Sequence, residues 1–295
     1  MRPAAPARSL VLLALLLLGL IWGGSFALQR VAAPVFGPLP LVCLRLALGA
    51  ATLLPTLWRN RRYLSGRLCL RLAAVGLLSQ TIPFVLFAWG AERAPAAIGA
   101  MTNSLTAPFA ALVGLLAFRE PLSWRRASGI AMGFAGVVLL VGVHSDTSAI
   151  TLAALAGVAA ALCYAVAAQL VARLFTGVPP AVIAGVTLLS GAALTALPAM
   201  AMWPVAPVST AAWISTGILG VLCTGLAYAV LFWLIGRIGA ARATAVTYLI
   251  PLFGVLIAWI GLGEQPRWNV AVAGTLIIAG VALSQTGAGR KAASQ

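Results

Sequence analysis

Apolar stretches long enough to cross a bilayer follow one another along the whole chain, and little else fits between them. The first reads LVLLALLLLGLIWGGSFAL, residues 10–28. Further spans are predicted at 39–57, 70–90, 96–118, 126–142, 151–173, 179–202, 210–235, 241–262 and 267–285. Lipid gives backbone N–H and C=O groups no partner, so each span must satisfy its own as a helix. The expectation is an all-α integral membrane protein with ten transmembrane helices and no soluble domain. With 62% hydrophobic and 8% charged residues, the chain lacks the charge to cover a soluble surface. The leucine-rich start behind Arg2 and Arg8 has the pattern of a signal peptide. It is read as a retained first helix, because the second half contains its counterpart.

A net charge of +15 would suggest nucleic acid in a soluble protein. The placement of the arginines suggests lipid. With a cytoplasmic N-terminus, all 19 basic residues except Arg30, Arg45, Arg93 and Arg267 fall on the cytoplasmic side. That bias predicts cytoplasmic N- and C-termini, with the cations facing anionic lipid and no nucleic-acid partner. Trp58, Trp89, Trp124, Trp203, Trp213 and Trp268 fall at span ends, where an aromatic belt belongs. Cys43, Cys69, Cys163 and Cys223 lack metal-ligand spacing and are read as reduced, buried packing residues. No metal or cofactor is expected.

The chain also repeats itself. Setting Glu120 of FREPLSW on Glu264 of GEQPRW brings Trp124 onto Trp268 and Ala127 onto Ala271. AGV at 135–137 then meets AGV at 279–281, and Leu139 meets Leu283. The reading is two copies of a five-helix unit, 1–145 and 146–295. Five is odd, so the copies enter the membrane with opposite orientation. Inverted repeats characterise secondary transporters, whose halves rock around a midplane site to expose it alternately. Each glutamate precedes the fifth helix of its unit and is expected to cap it or to form an ion pair, with Arg119, Arg125 and Arg126 near the first and Arg267 near the second. The alternative role is a gate latch, broken and made at opposite faces. Pro108 and Pro251, at matched points of helices four and nine, are candidate hinges.

The duplicated set resembles the drug/metabolite transporter superfamily, in its ten-helix EamA-type branch. The resemblance rests on WGGSF in the first helix, Arg45 in the second, the proline-then-glutamate segment closing each fourth helix and the glycine-rich fifth helix. It covers nearly the whole chain. The second copy departs in two places: Tyr164 stands near the equivalent of Trp22, and no arginine matches Arg45. The resemblance implies an inner-membrane carrier of small metabolites, most like bacterial exporters of aromatic and other neutral amino acids.

Polar and aromatic residues inside the spans mark the expected site, since lipid offers them no partner. Helix one carries Trp22, Ser25 and Gln29; helix three carries Gln80, Phe84 and Phe87. Helix four carries Met101, Asn103 and Ser104, with Pro108 on the same face. Helix six carries Tyr164, helix eight Thr224 and Tyr228, and helix nine Thr244, Thr247 and Tyr248. These are the same three members of each copy, as a cavity shared by both halves requires. Helices two, five, seven and ten are expected at the periphery, the glycines of five and ten packing within the molecule. Arg45 is read as snorkelling to the outer interface or pairing with helix ends, with partnership to a bound anion as the alternative.

No acid or histidine lies at the centre of a span, and His144 and Asp146 share a predicted outer loop. An uncharged, ring-lined cavity suits a zwitterion with an apolar side chain. The expected function is alternating-access, facilitative export of neutral and aromatic amino acids by a monomer or homodimer. Export of another metabolite or drug on the same fold is the alternative. A membrane-embedded enzyme would need a cluster of nucleophile, base or metal ligands, which the sequence does not show.

Overall fold

Gly37 sets the first boundary in the chain. Its φ of 77° is left-handed backbone that favours glycine. Its N–H bonds to Ala33 O at 2.8 Å, and Pro38 starts the next helix. Helix α1 therefore runs Arg8–Phe36, past the predicted end at Leu28. Gln29, read from sequence with Trp22 and Ser25 on this helix, and Arg30, read as lying outside the span, are both within it.

The computed structural model describes residues 8–142, 148–239, 243, 246–265 and 268–285. Nine further long helices follow α1 among them. They are α2 (Pro38–Arg59), α3 (Gly66–Ala91), α4 (Ala96–Phe118), α5 (Trp124–Gly142), α6 (Ser148–Leu174), α7 (Pro180–Ala201), α8 (Thr210–Ile238), α9 (Val246–Leu262) and α10 (Trp268–Gln285). The fold is all-α, with no strand among the described residues. Predicted loop residues His144 and Asp146 lie outside the described residues, as does Arg267.

Local rules recur in both halves at one register, the one that sets Glu120 on Glu264. Ser65 Oγ accepts the Leu68 N–H and starts α3; Ser209 Oγ accepts the Ala212 N–H and starts α8. A wide π turn interrupts α3 at Leu77–Thr81 and α8 at Val221–Leu226. Such turns hold one extra residue and gather at functional sites.

Packing follows the same exchange. α1 lies against α9 and α8, as α6 lies against α4 and α3. α2 pairs with α7, α5 with α10, and α4 with α9. The exchange is incomplete around α1: it also packs on α3 and α4 of its own half, while α6 makes at most sparse contact with α8 and α9. Small residues permit the closest approaches. A Cβ on Gly23 would stand 2.8 Å from Gly254 N of α9, and one on Gly280 would stand 2.6 Å from Gly129 O of α5. The glycine stripe of α5 and α10 thus packs within the molecule.

Candidate functional site

The ends of the fourth helices correct the expected capping role of the two glutamates and the arginines expected beside them. Arg119 has φ 55°, the one non-glycine with positive φ among the described residues. Its N–H bonds to Leu115 O and the Glu120 N–H bonds to Gly114 O, both at 3.0 Å. At the end of α9, Gly263 (φ 68°) and Glu264 repeat this with Trp259 O and Ala258 O, both at 3.1 Å. Each glutamate backbone thus closes the C-terminus of a fourth helix in a Schellman-type end, rather than opening a fifth.

Their side chains reach across the fold. The Glu120 carboxylate pairs with Arg173 at the end of α6, whose guanidinium lies 3.7 Å over the Phe118 ring. Glu264 accepts the Ala96 N–H at 2.9 Å, at the start of α4, and lies 3.8 Å from Arg30 Nε of α1. Arg30 also donates to Ala91 O at 2.7 Å. Neighbouring arginines 119, 125 and 126 are not the partners of Glu120. Burial lifts the Glu264 carboxyl above the usual carboxylate range; the Ala96 N–H and the Arg30 charge pull it the other way.

Between these two ends α4 is interrupted, into Ala96–Asn103 and Thr106–Phe118. Pro108 supplies the reason. It has no N–H for Ser104 O, and its ring would crowd that carbonyl. Ser104 and Leu105 N–H groups instead bond to Met101 O and Thr102 O, both at 3.1 Å. α9 passes through Pro251 without a break.

The interruption of α4 and the π turn of α8 border a cavity of about 370 Å³ between the helices. α1 lines it with Trp22, Ser25, Phe26 and Gln29, α3 with Phe84 and Phe87, and α4 with Asn103 and Thr106. α6 contributes Tyr164 and Ala168, α8 Cys223, Tyr228 and Leu231, and α9 Thr247 and Ile250. At the Glu120–Glu264 register, Phe84 matches Tyr228, Phe87 matches Leu231, Asn103 matches Thr247 and Thr106 matches Ile250. Half of the sixteen lining residues fall in these four equivalent pairs, while α1 and α6 face the cavity from non-equivalent positions.

Rings fix its shape. Trp22 meets Tyr228 edge-on at 6.3 Å, and Phe87 stacks on Tyr164 at 6.2 Å. The Trp22 indole N–H donates to Cys223 O at 3.1 Å, tying α1 to the π turn of α8. Cys223 is therefore a wall residue as well as a packing one, and Cys43, Cys69 and Cys163 are half-buried rather than buried. Ser25 Oγ donates to Trp22 O at 2.7 Å, and Thr106 Oγ1 to Asn103 O at 2.8 Å.

Nine predicted site residues thus line one space: Trp22, Ser25, Gln29, Phe84, Phe87, Asn103, Tyr164, Tyr228 and Thr247. Thr224 is buried beside Arg45, and four others stand off the space. Gln80 is buried behind the wall, where its Nε2 donates to the Tyr228 hydroxyl and its Oε1 has no partner. Met101 points at Gly274 of α10, and Ser104 Oγ donates to Met101 O at 2.6 Å. Tyr248 packs in the cluster formed with α1, α4 and α6. The break in α4 separates residues that regular helical spacing would put on one face. Thr244 lies outside the described residues.

Sequence reasoning misplaced Arg45. It is 5% exposed, lies 3.9 Å over the Phe84 ring, and lines the cavity. Its Nε donates to Thr224 Oγ1 at 3.0 Å, and Thr224 in turn donates to Leu219 O across the π turn. It neither snorkels nor pairs with a helix end, so α2 is not peripheral and the cavity carries a positive charge. The absence of acidic residues from the apolar spans was the available signal, since a charge there had no nearby partner.

The sequence matches the EamA-like transporter family over residues 9–142 and 151–286. It is 28% identical over 92% of its length to a Streptantibioticus cattleyicolor protein named "Probable terminal-alkyne amino-acid exporter", covering 91% of that protein. It is 23% identical to the "Uncharacterized transporter YoaV" of Bacillus subtilis, over 92% of this chain and 95% of the relative. A protein of known crystal structure, 24% identical, shares the fold with a TM-score of 0.66 over 94% of this chain and 98% of its own.

Proposed function

The chain belongs to the EamA-like transporter family, and on that footing we propose that it exports neutral and aromatic amino acids from a bacterial cell by facilitated, alternating access. As a multi-pass membrane protein of a transporter family it acts by moving a small molecule, not by transforming one. The observation that carries the reading is the cavity wall, in which helices of both halves, four pairs of residues at equivalent positions among them, border a ring-lined space. Its volume is that of a small-molecule site. A relative named as an amino-acid exporter supports the substrate class.

In this reading the units 1–145 and 146–295 insert with opposite orientation in the inner membrane, both termini cytoplasmic. Arg173–Glu120 and Arg30–Glu264 then close opposite faces. The one-sided packing of α1 on α3 and α4 fits a conformation committed to one direction. The break at Ser104, under Pro108, supplies a hinge, with Pro251 as its counterpart.

Counterflow into liposomes tests the proposal. Unlabelled phenylalanine trapped inside should drive uptake of labelled phenylalanine and leucine without a pH gradient, and glutamate should be taken up poorly. Flux that requires a proton gradient would refute the facilitative mechanism. No flux of any neutral amino acid would refute the substrate class. Thiol labelling of single cysteines at positions 60 and 240 should place both on the cytoplasmic face.

A further inference from the structure

Arg45 brings an unneutralised cation into an apolar bundle. A buried guanidinium ordinarily faces a carboxylate, because leaving water is costly unless the charge is paired. Here the described acids are all engaged elsewhere: Glu92 with Arg93, Glu120 with Arg173, and Glu264 with Ala96 and Arg30. Arg45 has five N–H donors. Nε is used by Thr224 and one face is covered by Phe84. Nη1 and Nη2 make no hydrogen bond to a described residue, and the side chain lines the cavity.

We infer that Arg45 is the carboxylate anchor of the cavity, so that the site selects its substrate by an anionic group and not by an ammonium. The inference rests on the reading of this cavity as the substrate site. Paired donors on one edge of a planar fork match the two oxygens of a carboxylate. Thr224 and Phe84 hold the fork in place before the ligand arrives, which lowers the ordering cost of binding. The substrate completes an ion pair that the protein leaves half built. An ammonium gains ring faces at Trp22 and Tyr228, but meets no acid in the wall and stands near a like charge. The α-amino group is therefore dispensable: 3-phenylpropionate, which is phenylalanine without it, is a ligand. Phenethylamine, which is phenylalanine without the carboxylate, is not.

Equilibrium dialysis of labelled 3-phenylpropionate, L-phenylalanine and phenethylamine against the purified full-length protein tests this, alongside counterflow of the same compounds. The wild type should bind both carboxylates at least about tenfold more tightly than the amine, the loss expected when hydrogen bonds to a charged group go unmade. Arg45→Gln should weaken both carboxylates by about tenfold or more and narrow the gap to the amine. Arg45→Lys, which keeps the charge and loses the fork, should fall between. Amine binding as tight as 3-phenylpropionate, or no carboxylate binding at all, overturns the inference in the wild type alone, whether or not the variants fold. Unchanged carboxylate affinity in a folded Arg45→Gln overturns it as well. Carboxylate binding without amino-acid counterflow would leave the anchor standing and remove the exporter reading; counterflow without Arg45 dependence would do the reverse.

Discussion

Gln80 and Tyr228 give a sharp test of the wall, because the two ends of their hydrogen bond are not equivalent. Gln80 is 3% exposed, and its Oε1 already lacks a partner while Nε2 donates to the Tyr228 hydroxyl. Among the described residues Tyr228 is the one partner of that amide, so Tyr228→Phe strands both of its polar atoms. Stranding a buried group costs about 1–3 kcal/mol. Side-chain bonds between membrane helices average about 0.6 kcal/mol with a maximum near 1.7, so the lower half of the range applies. Tyr228→Phe should cost about 1–1.5 kcal/mol. Gln80→Leu fills the same space, removes an amide that was half unsatisfied, and leaves a tyrosine hydroxyl beside the cavity, where water can reach it. Its cost should stay below about 0.5 kcal/mol. The double variant should then be more stable than Tyr228→Phe alone. Thermal unfolding of the purified proteins in one detergent reads the order directly. If Gln80→Leu is the more damaging single change, or the double variant is no better than Tyr228→Phe, the assignment of Gln80 as a positioning residue behind the wall is wrong.

Three further outcomes follow from geometry already described. Gly23→Ala puts a Cβ 2.8 Å from Gly254 N, so α1 and α9 must separate; a loss of about 1–3 kcal/mol is expected, read as lower yield and a lower unfolding midpoint. Arg119→Gly relieves a left-handed residue at the end of α4 and should raise the midpoint, by less than about 1 kcal/mol once the freedom of glycine in the unfolded chain is offset. Because burial lifts the Glu264 carboxyl, the packed end holds a proton more tightly than one in which Glu264 meets water. Closure of that face should strengthen as pH falls through the raised value and weaken as pH rises through it. Reactivity of an Ala94→Cys thiol, buried beneath that end, should show this pH profile and lose it in Glu264→Gln.

The ten spans were legible because the apolar runs are long and nothing competes with them. The repeat was legible because Glu120 and Glu264 are rare residues at one spacing. Boundaries failed where polarity misled: Arg30 looks like the start of a loop, while the break is set by backbone freedom at Gly37. The partners of the glutamates were invisible because sequence neighbours are poor guides to pairs that join α4 to α6 and α9 to α1 and α4. Helical spacing picked six helices that line the cavity and missed the seventh, α2, which brings Arg45. It chose the wrong face for Met101 and Ser104, because the interruption above Pro108 resets the register of α4. Arg45 was misjudged for a different reason. A long basic side chain can reach an interface from many depths, and only the contact with Thr224 and Phe84 shows that it turns inward.

The wide turns of α3 and α8 make the chamber depend on chain length as much as on residue identity. One residue in a helix subtends about 100°. Removing a single residue from Leu77–Thr81 would restore regular winding and swing Phe84 and Phe87 a quarter-turn or more toward the lipid. The same loss in Val221–Leu226 would carry Tyr228 and Leu231 away. A one-codon deletion in either half would thus undo the aromatic lining while leaving every apolar span intact.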